Sequence, residues 1–82
     1  MKEDFLKKVS AELKIARIEN GDLQEDLATK SGVAASTISK YEAGEKNMNL
    51  LKIEQILKPY DIDLYIFFER ILAKTQTKEK EQ

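Results

Sequence analysis

Three glycines and a single proline divide this chain into segments the length of short helices, and they constrain the fold more than any other feature. Glycine and proline interrupt regular structure, and here they are Gly21, Gly32, Gly44 and Pro59. The segments between them have the length of ordinary globular helices, about 8–20 residues. None shows the sustained alternation of β-branched and polar residues that is typical of a strand. The pattern therefore predicts an all-α fold.

Apolar residues recur at helical intervals within these segments, starting with Phe5 and Val9 in the first. Three short polar residues stand where helices should begin: Asp22, Asn49 and Asp63. Such residues cap helices because their side chains accept hydrogen bonds from free backbone N–H groups. We expect five helices, with the fourth ending or kinking at its proline. They span residues 3–20, 22–31, 34–43, 49 to about 59 or 60, and 64 to about 74.

The length of 82 residues, of which 41% are apolar, fits one domain with one core. Residues 1–74 are predicted to form this domain, and residues 75–82 a polar C-terminal tail. No apolar run approaches the roughly 20 residues of a membrane span, and the N-terminus has no apolar signal core. We therefore expect a cytoplasmic protein with no membrane partner.

Cysteine and histidine are both absent, which removes several classes of functional site. Without cysteine there are no disulfides and no thiolate metal sites. Without histidine the commonest general base and metal ligand is missing. The neighbouring carboxylates Glu25 and Asp26, and Asp61 and Asp63, are interpreted as capping and surface charges. We expect no enzyme activity, no cofactor, no metal and no small-molecule ligand.

The most informative region lies between Gly21 and Gly44, where two short helices are separated by a turn that contains Gly32. This is the layout of a DNA-binding helix-turn-helix. A small Ala28 lets the second helix cross closely, and Ile38 helps to bury the joint. The outer face of the second of these helices carries Ala35, Ser36, Ser39 and Lys40, mostly small residues that permit close approach to a groove floor.

Three segments of this region, Gln24–Ala28, Ser31–Val33 and Ser36–Gly44, resemble the Cro/CI-type (XRE) helix-turn-helix repressors. The resemblance covers about residues 9–68. It implies a compact five-helix, lambda-repressor-like domain that binds double-stranded DNA, with the third helix in the major groove. Three further segments, Lys46-Asn47, Leu50–Leu57 and Phe67-Phe68-Glu69, resemble the controller proteins of restriction–modification systems, which are small dimeric regulators.

The resemblance also implies roles for individual residues. Arg17 and Glu42 would form a buried ion pair between the first and third helices, and Gln24 would bind a DNA phosphate. Base-edge contacts are implied for Ala35, Ser36, Ser39 and Lys40, and contacts nearer the DNA backbone for Thr37, Lys46 and Asn47, with Lys52 close by. Departures from the family pattern include the pair Asp22-Leu23, where we expect Asp22 to cap one residue early and shift Gln24.

The last predicted helix carries more apolar surface than a single small core can bury. We therefore expect a homodimer that binds a near-palindromic operator. The predicted interface residues are Leu64, Phe67, Phe68 and Ile71.

The net charge is −1, from 14 basic and 15 acidic residues, which at first disfavours a DNA-binding protein. Residues 31–58, however, carry four lysines against three glutamates, so the proposed reading region is slightly basic. An alternative is a protein-interaction module, such as an antitoxin or anti-repressor, with the same fold. An RNA-binding domain is disfavoured because no exposed aromatic platform is evident.

Overall fold

The computed structural model describes the backbone of residues 2–44 and 47–80 and the side chains of residues 4–44 and 47–75. These residues form five α-helices and one 3-10 turn, with no strand among them. The all-α, five-helix prediction is confirmed. The helices are α1 (Lys2–Glu19), α2 (Gln24–Ser31), α3 (Ala35–Glu42), α4 (Leu50–Leu57) and α5 (Leu64–Lys80), and the 3-10 turn spans Lys58–Tyr60.

The predicted caps of the last two helices are confirmed. Asn49 Oδ1 accepts hydrogen bonds from the backbone N–H groups of Leu51 (2.8 Å) and Lys52 (3.1 Å) at the start of α4. Asp63 Oδ1 accepts one from the N–H of Ile66 (2.8 Å) at the start of α5. Both caps are local, since the acceptor lies within three residues of its donors.

The start of α2 differs from the prediction, because Asp22 does not cap it. Leu23 occupies the cap position, and its backbone N–H donates to Asp26 Oδ2 at 2.8 Å. The Asp22 carboxylate instead accepts hydrogen bonds from Lys30 and Tyr60. The local pattern could not reveal these competing donors, and Gln24 becomes the first residue of α2.

The last helix is longer than expected, since α5 continues to Lys80 rather than ending near Lys74. Thr75 Oγ1 donates to the backbone carbonyl of Ile71 at 3.0 Å and accepts from Lys8 Nζ of α1 at 3.0 Å. Residue 75 thus takes part in the packing of α5 on α1. The boundary between domain and tail after residue 74 stays a prediction.

All five helices contribute to one hydrophobic core. Each fully buried aliphatic or aromatic side chain stabilises the fold by about 1.5–3 kcal/mol relative to its exposed state. The core residues are Val9, Leu13, Ala16, Leu27, Val33, Ile38, Tyr41, Ile53, Ile56, Leu57, Phe67 and Ile71.

Two predicted dimer-interface residues, Phe67 and Ile71, lie in this core with 0% and 4% of their surface exposed. They are unavailable to a partner chain, so the prediction is wrong for these two positions. Leu64 and Phe68 are only partly buried against the core, and Phe68 stacks on Phe5 of α1 with ring centroids 6.0 Å apart.

Other apolar residues of α5 are exposed, namely Tyr65, Ile66 and Leu72. None of the described helices combines the length and the hydropathy that a membrane span requires.

Candidate nucleic-acid interface

The turn between α2 and α3 holds the two helices at a fixed angle. Gly32 has φ +77°, a left-handed conformation that favours glycine, and its N–H donates to the Ala28 carbonyl at 2.9 Å. The next residue, Val33, is buried with Ile38. Because these side chains bury the inner side of the joint, the opposite side of α3 faces solvent.

The solvent-facing side of α3 carries the residues predicted to read DNA. Ser36, Ser39 and Lys40 are exposed, and Ala35 and Thr37 are half-buried. Ala34 precedes the helix and provides no side-chain cap, so the N-terminal N–H groups of α3 are not covered by that residue. These exposed side chains of α3 are polar, and the cation among them is Lys40.

Arg17 and Glu42 form a bidentate ion pair between α1 and α3. Arg17 Nε lies 2.8 Å from Glu42 Oε2 and Nη2 lies 3.0 Å from Oε1, and the side chains are only 10% and 5% exposed. The third nitrogen, Nη1, donates to the backbone carbonyl of Asp22 at 2.7 Å. The hydrogen bond to Glu42 raises the pKa of Arg17 further above its ordinary value, so the guanidinium stays charged.

Gln24 belongs to the same cluster. Its Nε2 donates to Glu42 Oε1 at 3.0 Å, so that oxygen accepts from both Gln24 and Arg17. Sequence reasoning missed this contact between residues 18 positions apart, because their spacing carries no signal of proximity.

A second polar group continues the cluster away from α3. Tyr60 Oη donates to Asp22 Oδ2 at 2.7 Å, and Lys30 Nζ donates to the same oxygen at 2.8 Å. The hydrogen bonds from Lys30 and then Tyr60 hold the pKa of Asp22 below its ordinary value. Burial, followed by the hydrogen bond to Asp22, raises the pKa of Tyr60 well above its usual range. Neither partner of Asp22 was predicted.

Two further predicted contacts, Asn47 and Lys52, lie before and within α4. Asn47 is exposed and Lys52 is half-buried, while Lys46 lies outside the described residues. The Tyr41 hydroxyl accepts a hydrogen bond from the Asn49 N–H at 3.0 Å, which fixes the start of α4 against α3. Among the described residues, no group of three acidic, cysteine or histidine side chains is placed to hold a metal ion.

These elements match a known protein family. The family model described as helix-turn-helix, HTH_3, matches residues 13–67, from the middle of α1 into α5. This chain belongs to that family. The match includes Arg17, Gln24, α3 and Glu42, all of which the resemblance to XRE-type repressors had singled out, and that resemblance is confirmed.

Solved structures of one restriction-modification controller protein, C.Esp1396I, are similar over most of the chain. The wild-type protein is 35% identical, with a TM-score of 0.77 over 88% of this chain and 94% of that one. A point mutant is 34% identical, with a TM-score of 0.81 over 93% and 96%. The C.Esp1396I tetramer in complex with its natural 35 base-pair operator is 37% identical, with a TM-score of 0.75 over 83% and 90%. Among curated protein sequences, none matches this chain significantly.

Proposed function

We propose that this protein is a DNA-binding transcription regulator that inserts α3 into the major groove of an operator. The observation that carries the proposal is the exposed polar face of α3, fixed from behind by the buried Arg17–Glu42 pair. A helix of this kind presents side chains to base edges when its module rests on the DNA backbone. The similarity to a controller protein that was solved on its operator supports this function.

Affinity would come mainly from phosphate contacts, which position the protein without reading sequence. Gln24 is the first residue of α2, and a helix N-terminus favours a phosphate through its free N–H groups and its dipole. Lys46, Asn47 and Lys52, which follow α3 in the sequence, are proposed to supply further phosphate contacts. Each neutralised phosphate makes binding more salt-dependent.

Specificity would come from Lys40 and the small residues beside it. Lysine can donate to guanine O6 and N7 in the major groove. The predicted readers Ala35, Ser36 and Ser39, with Thr37 nearer the backbone, allow close approach and contacts with thymine methyl groups. Sequence-dependent bending of the DNA would add discrimination at positions that are not touched. Residues 31–58 are slightly basic despite the net charge of −1, with four lysines against three glutamates, and one of these glutamates, Glu42, is also paired with Arg17.

The protein would act as a homodimer on a near-palindromic site, with the two α3 helices about 34 Å apart. Support comes from the exposed apolar side of α5, where Tyr65, Ile66 and Leu72 lie, and from the partly exposed Leu64 and Phe68. A chain of this size gains by covering such a surface with a second copy.

Footprinting on the DNA that flanks the protein's own gene tests the function. We expect one protected near-palindrome, and we expect Lys40→Ala to weaken binding by about tenfold or more, since a good base contact contributes about 1–3 kcal/mol. The control is Lys7→Ala, which removes an exposed lysine of α1 ten residues before Arg17. Equal affinities for wild type and Lys40→Ala would remove Lys40 from the reading set.

A protein-interaction module remains the second candidate, favoured by the sequence pI of about 5.5 and by the exposed leucines Leu50 and Leu51 of α4. If no site is protected at any salt concentration, this candidate replaces DNA binding.

The dimer is tested separately by sedimentation. Leu72→Glu places a charge on the proposed interface and should give a monomer. The matched control, Ile18→Glu, changes an exposed apolar residue of α1 and should leave the dimer intact. A dimer that persists in Leu72→Glu would place the interface elsewhere.

A further inference from the structure

We propose that Glu42 is a positioning residue that orients the side-chain amide of Gln24 for its phosphate contact. The inference rests on the proposed function. The side chain of Glu42 is only 5% exposed and would not touch DNA, so its effect on binding would pass through Gln24.

The chemistry of the hydrogen bonds fixes the orientation of the amide. A glutamine side chain can present either its oxygen or its nitrogen in a given direction, whereas an ionised carboxylate only accepts hydrogen bonds. Because Glu42 Oε1 lies 3.0 Å from Gln24 Nε2, the nitrogen is turned toward Glu42. That nitrogen has a second N–H, and a phosphate oxygen also requires a donor. One NH₂ group therefore serves the carboxylate and the phosphate together.

The anchor for this amide is rigid. Glu42 Oε2 and Oε1 both accept from Arg17, at 2.8 and 3.0 Å, and the two side chains are almost fully buried. Arg17 also binds the carbonyl of Asp22 at 2.7 Å, two residues before Gln24. The same ion pair therefore fixes the backbone that enters α2 and the side chain of its first residue.

Order in the free protein favours binding, because a side chain that is already held in place loses less conformational entropy when its ligand arrives. Arg17 also compensates the negative charge that Glu42 would otherwise direct at a phosphate. A glutamine at this position without the carboxylate behind it would be free to rotate, and would bind phosphate more weakly.

A double-mutant cycle measures the effect on DNA. The pair Arg17→Met and Glu42→Leu removes the acceptor while leaving no buried charge unpaired, an exchange that proteins often tolerate. Operator affinity is measured for this paired variant with Gln24 intact and in the Gln24→Ala background. We expect a loss of about three- to tenfold with Gln24 intact, the range of one net hydrogen bond, and less than about twofold in the Gln24→Ala background.

Tyr60→Phe is the matched control, because it removes a hydrogen bond of the same cluster without touching Gln24 or Glu42. It should lower stability and leave operator affinity unchanged. Equal losses from the paired variant in both backgrounds would mean that Glu42 acts only on folding, and would overturn the proposal.

A measurement without DNA keeps this inference separate from the proposed function. In the NMR spectrum of the free wild-type protein, the two side-chain N–H signals of Gln24 should be well separated from each other. Both should be shifted from the positions of free glutamine, as expected for an amide held in one orientation. Signals at free-glutamine positions would overturn the positioning role, even if the paired variant fails to fold. A wild type with an ordered Gln24 amide but no operator binding would instead contradict the proposed function alone.

Discussion

Two buried glutamates, Glu42 and Glu12, each join α1 to another helix, but their surroundings differ. Glu42 accepts three hydrogen bonds within the protein, two of them from Arg17, which is itself buried. Glu12 is 2% exposed, yet its partners on α5 reach into solvent: Lys74 is 57% exposed and Arg70 31%. Its Oε1 lies 2.6 Å from Lys74 Nζ, while its Oε2 lies 3.3 Å from Arg70 Nε and makes no hydrogen bond.

The difference shows that α1 is joined to α3 and to α5 by ion pairs that differ in their exposure to solvent. The Arg17–Glu42 pair is almost fully shielded from water, so loss of either residue leaves a buried charge without compensation. The group around Glu12 is open on its cationic side, so the partners can be hydrated and screened by salt. The ion pair that joins α3 to α1 is thus shielded from solvent. The ion pairs that join α5 to α1 can be weakened by salt, although Phe67 and Ile71 also hold α5 in the core.

The largest expected effect is that of Arg17→Met. It leaves Glu42 buried without its cation and should lower the free energy of unfolding by about 3–5 kcal/mol, measured by urea denaturation. Adding Glu42→Leu should restore much of this loss, because the buried charge is then removed. A loss below about 1 kcal/mol for Arg17→Met alone would show that the pair behaves as a surface ion pair, and the contrast with Glu12 would disappear.

Glu12→Gln should have a smaller effect of about 1–2 kcal/mol, since its charged partners remain hydrated after the substitution. The difference in unfolding free energy between the wild type and Glu12→Gln should shrink from low salt to about 1 M NaCl, where the Debye length falls to about 3 Å. The matched control, Glu19→Gln, alters an exposed partner of Arg70 and should change stability little. If Glu12→Gln causes a large loss of stability that does not depend on salt, the ion pairs of Glu12 are as shielded from solvent as the Arg17–Glu42 pair.

Local features of the fold were predictable from sequence. Asn49 and Asp63 were identified as caps because a cap and its donors lie within one helical turn. Glycine marked helix ends because the left-handed conformation, as at Gly32, favours glycine. The family resemblance singled out Arg17 and Glu42, which the structure pairs across 25 residues.

Contacts between distant residues were not predictable. Asp22 had the pattern of a helix cap, but Tyr60 and Lys30 bind its carboxylate, and no spacing rule connects Asp22 with a tyrosine 38 positions away. The prediction of which α5 residues face the core failed for another reason. Apolar residues occur on more than one of its faces, so periodicity alone could not decide that Phe67 faces the core and Leu72 the solvent.

The smallest expected effect is the acid response of Asp22, which lies at the outer edge of the Arg17–Glu42 cluster and accepts hydrogen bonds from the solvent-exposed Lys30. Hydrogen bonds from Lys30 and Tyr60 lower the pKa of Asp22 in the folded protein, so its ionised form stabilises the fold. This contribution is complete above the unfolded-state pKa of about 4 and is lost as the pH falls through the lower folded-state pKa.

Urea denaturation from pH 6 to pH 2 should therefore show a steeper acid loss for the wild type than for Asp22→Asn. Lys30→Ala should lie between the two, because Tyr60 still donates to the carboxylate. If Asp22→Asn loses stability as steeply as the wild type, the acid response arises at other carboxylates.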